Sequence, residues 1–235
     1  MASVCFYFQV HQPHRLRHYT IFDSGTDYFD AYKNAEICRK VAKKCYLPTN
    51  RLLLELIERH AGQFKVAFSI TGTALEQFAD YAPEVLVGFQ RLAATGCVEF
   101  LSETYHHSLS FLFSPDEFAE QVTAHRKLIR DLFGQTPQVF RNTELIYSNQ
   151  LAQAVARIGG FKAILAEGAD HILGYRSPNY VYEPPEAPGL KLLLKNYRLS
   201  DDIAFRFPIA TGASGRSASA SSLSGSTPST AMGTS

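Results

Sequence analysis

The sequence predicts a parallel α/β protein. Three observations carry this: short, nearly continuous apolar runs recur along the chain, helical patterns separate them, and Gly or Pro punctuates the joins. Continuous apolar strands flanked by helices point to βαβ units covered on both faces. With 235 residues, 46% hydrophobic and 19% charged, the chain can bury a sizeable core, in one domain or at most two. The net charge of +1, without long runs of like charge, gives no basic footprint for nucleic acid.

The first strand is SVCFYFQV, Ser3 to Val10. MASVCFYFQVHQPHRLR has no positive region ahead of its apolar stretch and no small-residue cleavage site, so it reads as a strand and not a signal peptide. No stretch is long enough to span a bilayer. Two helical stretches follow, DYFDAYKNAEICRKVAKKCY and PTNRLLLELIERH. FKVAFSI (Phe64 to Ile70) is strand two, helical segments run from Gly72 to near Gly96, and CVEFLSE is strand three. SPDEFAEQVTAHRKLIRDLFG carries a capping box, Ser114 with Glu117, and Pro115 at the first helical position. Its Phe118, Val122, Ile129 and Leu132 share one face, and Gly134 stops it. PQVFRNTE is strand four, NQLAQAVARIGG a helix, KAILAEGA strand five and LKLLLKN a sixth. Ser200 reads as an N-cap for DDIAFRF. The pattern suits a doubly wound sheet or most of a barrel, and periodicity does not choose between them. Cys5, Cys38, Cys45 and Cys97 show no CxxC spacing and read as small buried thiols of a reducing cytoplasm.

In such folds, polar groups just past the C-terminal strand ends converge on the site. Those positions hold His11-Gln12-Pro13, then Glu103 with His106 and His107, then Arg141-Asn142-Thr143-Glu144, then Glu167 with Asp170-His171. Glu99 stands inside strand three, where a carboxylate among apolar neighbours is costly unless paired or functional. His106 and His107 are adjacent, so on an extended strand they point opposite ways. Asp201 and Asp202 suit a helix start.

Taken in order, FYFQVHQP, GCVEFLSETYHHSL, FRNTELIY, LAEGADHILGYRSP and YRLSDDIAFRF resemble glycoside hydrolase family 57, in its α-amylase-like branch, over residues 1 to 207. HQP stands at the family's first signature, GCVE at its second and FRNTE at its third. The resemblance implies an incomplete TIM-type barrel of seven βα units, retaining chemistry on α-glucans or maltooligosaccharides, and no obligatory metal or organic cofactor. It also implies that Glu144 is the nucleophile and that His11, Gln12 and Glu99 bind substrate. Arg141, also expected at the substrate, would help to keep Glu144 ionised. The family's general acid is an Asp in a fourth motif, downstream of SDDIAFRF, and this chain stops first. A metal-dependent polysaccharide deacetylase, recruiting His106, His107, His11 and an Asp, is the rival enzyme class. A catalytically dead glucan binder is the non-enzymatic one.

The segment 208–235 differs in kind: 22 of its 28 residues are Ser, Ala, Gly or Thr, too few large apolar groups for a core. Read from the third base of each codon, this tail permits a tryptophan-containing amphipathic pattern. It is therefore expected to be an out-of-frame tail on a truncated, inactive catalytic region.

Overall fold

A computed structural model describes residues 3–206. The low-complexity segment 208–235, with the frameshift read into it, lies outside the described residues. So do Met1, Ala2 and Phe207. The chain divides between Tyr197 and Arg198 into two units.

The first unit is an α/β sheet protein. Strand β1 (Tyr7–Val10) leads to helices α1 (Ala31–Val41) and α2 (Leu47–Arg59), which run on through a π turn at Ala42–Tyr46. The sequence pattern predicts two separate helical stretches here, the second opening at Pro48. Instead the helix widens just before the proline, whose ring would crowd the carbonyl four residues back, and Leu47 N–H bonds to Ala42 O. Asn34, Cys38, Ala42, Tyr46, Asn50, Leu53 and Ile57 form one buried stripe across the join. Strand β2 (Val66–Ile70), helices α3 (Gly72–Tyr81) and α4 (Pro83–Ala94), strand β3 (Val98–Phe100) and helix α5 (Pro115–Phe133) follow.

Ser114 caps α5 by accepting from Glu117 N–H, and Gly134 closes the helix at φ 69°. The capping box is half made. Ser114 N–H bonds back to Ser110 O, and the Glu117 carboxylate accepts from Gln121. Phe118, Val122 and Ile129 are buried as expected, and Leu132 only partly. Strand β4 (Val139–Arg141), helix α6 (Asn149–Ile158), strand β5 (Ala163–Glu167), helix α7 (Asp170–Leu173) and strands β6 (Val181–Tyr182) and β7 (Lys191–Lys195) complete the unit.

The strands pair in the order β1-β2-β3 and β4-β5-β7-β6, with every pair parallel except β6–β7. A parallel bridge between Ser102 and Phe140 joins the two sets. The parallel strands thus lie side by side in chain order. A doubly wound sheet reverses its order at a switch point, so the sequential order is compatible with part of a barrel. Right-handed crossovers then put the helices on one face.

On that face Phe68, Phe89, Phe100 and Phe133 pack in one core cluster, and Phe118, Phe140, Leu151 and Ile164 in a second. Phe100 and Phe133 stack at 4.1 Å. The other face carries Tyr7, Gln9, Ala67, Ser69 and Glu99, which alternate with the core residues in register. β1–β3 are therefore more polar on the face away from the helices, whereas β5 and β7 place Ala163, Leu165 and Leu193 there. The expectation of strands apolar on both faces thus fails for β1–β3 only.

Of the four cysteines only Cys38 is buried outright, while Cys5 and Cys45 are exposed. In the second unit Ser200 lies inside a helix, α8 (Tyr197–Asp201), which passes into a π turn at Asp202–Arg206. It does not cap that helix, because helical geometry already begins at Tyr197.

Phe100 is fully buried and Phe113 is 87% exposed. Phe100→Ala should cost about 3–5 kcal/mol through lost burial and a residual cavity. Phe113→Ala should change stability by no more than about 0.5 kcal/mol. Urea unfolding followed by circular dichroism measures both.

Candidate active site

The polar residues past the ends of β1, β2, β3 and β4 meet around one buried carboxylate. Glu103, just beyond β3, has no exposed side-chain surface. Ser69 Oγ on β2 donates to its Oε1 at 2.6 Å. His107 Nδ1 lies 3.3 Å and Arg141 Nη1 3.8 Å from its Oε2. Arg141 ends β4, and its Nη2 donates to Gln9 Oε1 on β1 at 2.6 Å. The backbone N–H of Glu103 donates to His125 Nδ1, while His125 Nε2–H donates to Ile70 O at 2.7 Å. His125 is wholly buried, and desolvation lowers its pKa. It ties α5 to the strand ends as a neutral structural imidazole.

Glu144 stands at the rim, on the turn after β4, with its side chain 69% exposed. Its Oε1 lies 3.0 Å from His107 Nε2. The backbone there is strained. Four non-glycine residues among those described have positive φ, and His107, Glu144 and Leu145 are three of them, at 56°, 53° and 57°. Such conformations cost about 1–3 kcal/mol each and gather where function requires them. Asn142 Nδ2 holds the Glu144 turn by donating to Ile146 O at 3.0 Å.

His11 closes the cluster. Its Nδ1 is 3.0 Å from Thr71 Oγ1, and its ring stacks on that of His107 at 4.3 Å. Burial, aided by the neighbouring His107 charge, pushes the His11 pKa down to about 4. The His107 pKa is raised, first by its hydrogen bond to Glu103 and against the effect of desolvation. The two stacked rings are thus shifted in opposite directions.

The structure thus brings His11, Arg141 and Glu144 together, and separates Gln12 and Glu99 from them. Gln12 is buried behind β1, where its Nε2 donates to Tyr46 OH and its carbonyl accepts from Gln77. Glu99 is exposed on the open face of β3, four residues before Glu103 and so about 13 Å back along the strand. Alternation explains it: Val98 and Phe100 take the core side, leaving Glu99 out of the core that the sequence pattern suggested. Partial desolvation still raises its pKa, and the charge of Lys162 opposes this. Arg141 pairs with Glu103 rather than Glu144.

Sequence reasoning noted Glu103 and His107 without placing them at the site. Adjacent histidines diverge on an extended strand, but the chain turns there, and His107 sits in left-handed geometry. The ETYHH spacing was the available signal, since it sets His107 four residues past Glu103 across a turn. The expected metal ligands do not converge: His11 and His107 lie ring on ring, and both nitrogens of His107 face carboxylates. Among the described residues no group of three or more His, Cys, Asp or Glu is placed to hold a metal ion, and no helix is long and apolar enough to cross a membrane.

Fold and site define a parallel α/β protein with carboxylates, imidazoles and a guanidinium at the C-terminal strand ends. The chain belongs to glycosyl hydrolase family 57, whose model matches residues 5–227. It is 51% identical over 208 residues to a Methanocaldococcus jannaschii protein named "Putative alpha-amylase", covering 87% of this chain and 44% of the relative. The chain therefore spans less than half the length of that curated relative. Among solved structures it is similar to a 4-α-glucanotransferase from Thermococcus litoralis, at TM-score 0.66 and 17% identity over 86% of this chain and 29% of that one. The α-amylase AmyC from Thermotoga maritima gives 0.63 and 13%, over 86% and 47%. A Mycobacterium smegmatis structure named "putative polysaccharide deacetylase" gives 0.55 and 16%, over 90% and 64%. At these identities the structural likenesses are likenesses of fold.

Removing the guanidinium should expose the dependence on Glu103. Arg141→Leu leaves that carboxylate buried without its arginine and should cost about 3–5 kcal/mol. Glu144→Gln, on the exposed rim, should stay within about 0.5 kcal/mol of the parent. Urea denaturation of the two variants tests the contrast.

Proposed function

We propose that this chain carries the nucleophile side of a retaining glycosidase site acting on α-glucans, on the wall of an incomplete (β/α)7 barrel, with Glu144 as the nucleophile. One observation carries the reading. At the end of β4 a solvent-facing carboxylate is held by a single hydrogen bond in strained backbone, within the FRNTE motif. Glu103, the other carboxylate of the cluster, is fully buried and serves His107, Arg141 and Ser69.

In a retaining reaction a Glu144 oxygen attacks the anomeric carbon as the glycosidic C–O bond breaks. The leaving oxygen takes a proton from an acid whose carboxyl lies about 5–5.5 Å from the nucleophile. The family resemblance assigns that acid to an Asp in a fourth motif, downstream of SDDIAFRF. Water or a sugar hydroxyl then displaces Glu144, which makes hydrolysis and glucanotransfer two outcomes of one intermediate. His11, neutral and aimed across the cluster, is suited to donate to or accept from a sugar hydroxyl. Arg141 keeps Nε and Nη1 without a hydrogen-bond partner among the described residues.

The assignment can be tested apart from the acid, because fluoride leaves without a proton. An α-glucosyl fluoride bearing a second fluorine at ring carbon 5 should add one fluoroglucosyl group to the peptide containing Glu144, detected by mass spectrometry. Glu144→Gln should take no label. A label on another side chain, or none on folded parent protein, rejects Glu144 as the nucleophile.

A further inference from the structure

Both ring nitrogens of His107 face carboxylate oxygens, which in the ionised form only accept hydrogen bonds. The two pairings can both be hydrogen bonds only if the ring is an imidazolium with two N–H donors. Gln9 Nε2 lies almost equidistant from the two nitrogens, at 3.2 and 3.3 Å, and so lies along neither nitrogen's in-plane donor axis. Its own Oε1 is taken by Arg141.

From this geometry we infer that His107 is a positioning residue for the reaction: anchored by buried Glu103, it presents Nε2–H to Glu144 and fixes that carboxylate in its attacking orientation. The inference rests on the nucleophile reading of Glu144. It adds a coupling between a fully buried carboxylate and an exposed one through a single ring.

The groups facing His107 are Glu103 and Glu144, which favour its charge, and His11 and Arg141, which oppose it. With its pKa held down to about 4, His11 is neutral above that pH and its opposition is slight there. A raised folded pKa means that the charged form is present below it and is lost as pH climbs through it. When the ring loses one proton, only one carboxylate can keep its donor. Glu103 is buried and cannot turn to water, so it retains Nδ1–H. Glu144 is exposed and can be solvated, so the hydrogen bond that breaks is the one from Nε2–H to Glu144. The nucleophile is therefore released from its orientation on the alkaline side.

Two measurements test this on the chain as it is. In the first, the His107 ring resonance, assigned by its disappearance in His107→Gln, is titrated by NMR. Its midpoint should lie above that of an exposed histidine and should fall in Glu144→Gln and in Glu103→Gln. A midpoint at or below the exposed value, or one unmoved in Glu144→Gln, overturns the inference. Glu144→Gln decides alone if Glu103→Gln does not fold, because the Glu144 side chain is exposed.

In the second, the rate of fluoroglucosyl labelling at Glu144 is followed against pH. It should decline through the His107 midpoint in the parent, decline at lower pH in Glu103→Gln, and be slow without that decline in His107→Gln. A parent rate that is flat through the His107 midpoint overturns the inference. Absence of label in every variant instead sinks the nucleophile reading, and the NMR titration, which needs no turnover, still decides whether the ring is coupled to Glu144.

Discussion

The arrangement of strand ends depends on one carboxylate taken out of water. An isolated buried carboxylate is costly enough that it must be paired or neutralised. Glu103 is satisfied by groups from separate elements: Ser69 from β2, Arg141 from β4, and His107 from its own turn. Arg141 then reaches Gln9 on β1, 132 residues away in sequence. The charge thus sets the relative positions of four strand ends, which hydrophobic packing on the helix side leaves less defined. Packing on that side is non-directional, whereas a hydrogen bond fixes distance and angle.

That anchoring explains how the site can hold strained backbone. Left-handed geometry at His107, Glu144 and Leu145 would relax if the turns were free. His107 is held at one nitrogen by a buried partner, and the Glu144 turn by Asn142 Nδ2 on Ile146 O. The stacked histidines follow the same logic. Two imidazolium rings 4.3 Å apart would repel, and the rings shift apart accordingly: the hydrogen bond to Glu103 favours the charged form of His107, while burial and the His107 charge disfavour that of His11, bonded to Thr71.

Most of the fold was legible in the sequence, because strand and helix periods report the helix-facing side directly. Phe68, Phe100, Phe140 and Ile164 read as strand cores and are buried. Sequential strand order was not legible, since it depends on long-range pairing that no local period encodes. Glu99 misled because a three-residue strand is too short to show its alternation, and a carboxylate flanked by Val98 and Phe100 looks buried from the sequence. Gln12 misled because proximity to His11 in sequence is not proximity at the site. Behind the strand end it bonds Tyr46, which the buried stripe of the α1–α2 run brings there. Glu144, Arg141 and His11, which the motifs singled out, stand together at the strand ends. Glu103 and His107 were visible as residues four apart in ETYHH, but their union required a turn in left-handed geometry at a non-glycine position, which that spacing alone does not specify.

The seam between β3 and β4 shows where stability is given up. Two three-residue strands meet there through the Ser102–Phe140 bridge, with Ser102 N–H bonded to Val139 O and Arg141 N–H to Ser102 O. Around that seam Ser102 Oγ, Arg141 Nε and Nη1, and Asn142 Oδ1 are buried without hydrogen-bond partners among the described residues. A buried polar group left with no partner at all costs about 1–3 kcal/mol, and native structures keep few of them; Arg141 Nη1 still faces Glu103 Oε2 at 3.8 Å. Extending the β3–β4 ladder would draw Glu103 into strand geometry beside Arg141, which already ends β4, and would leave no turn to carry His107. The ladder stops where the side chains must take over from the backbone, so the seam exchanges sheet stability for a cluster of charges held in register at the strand ends.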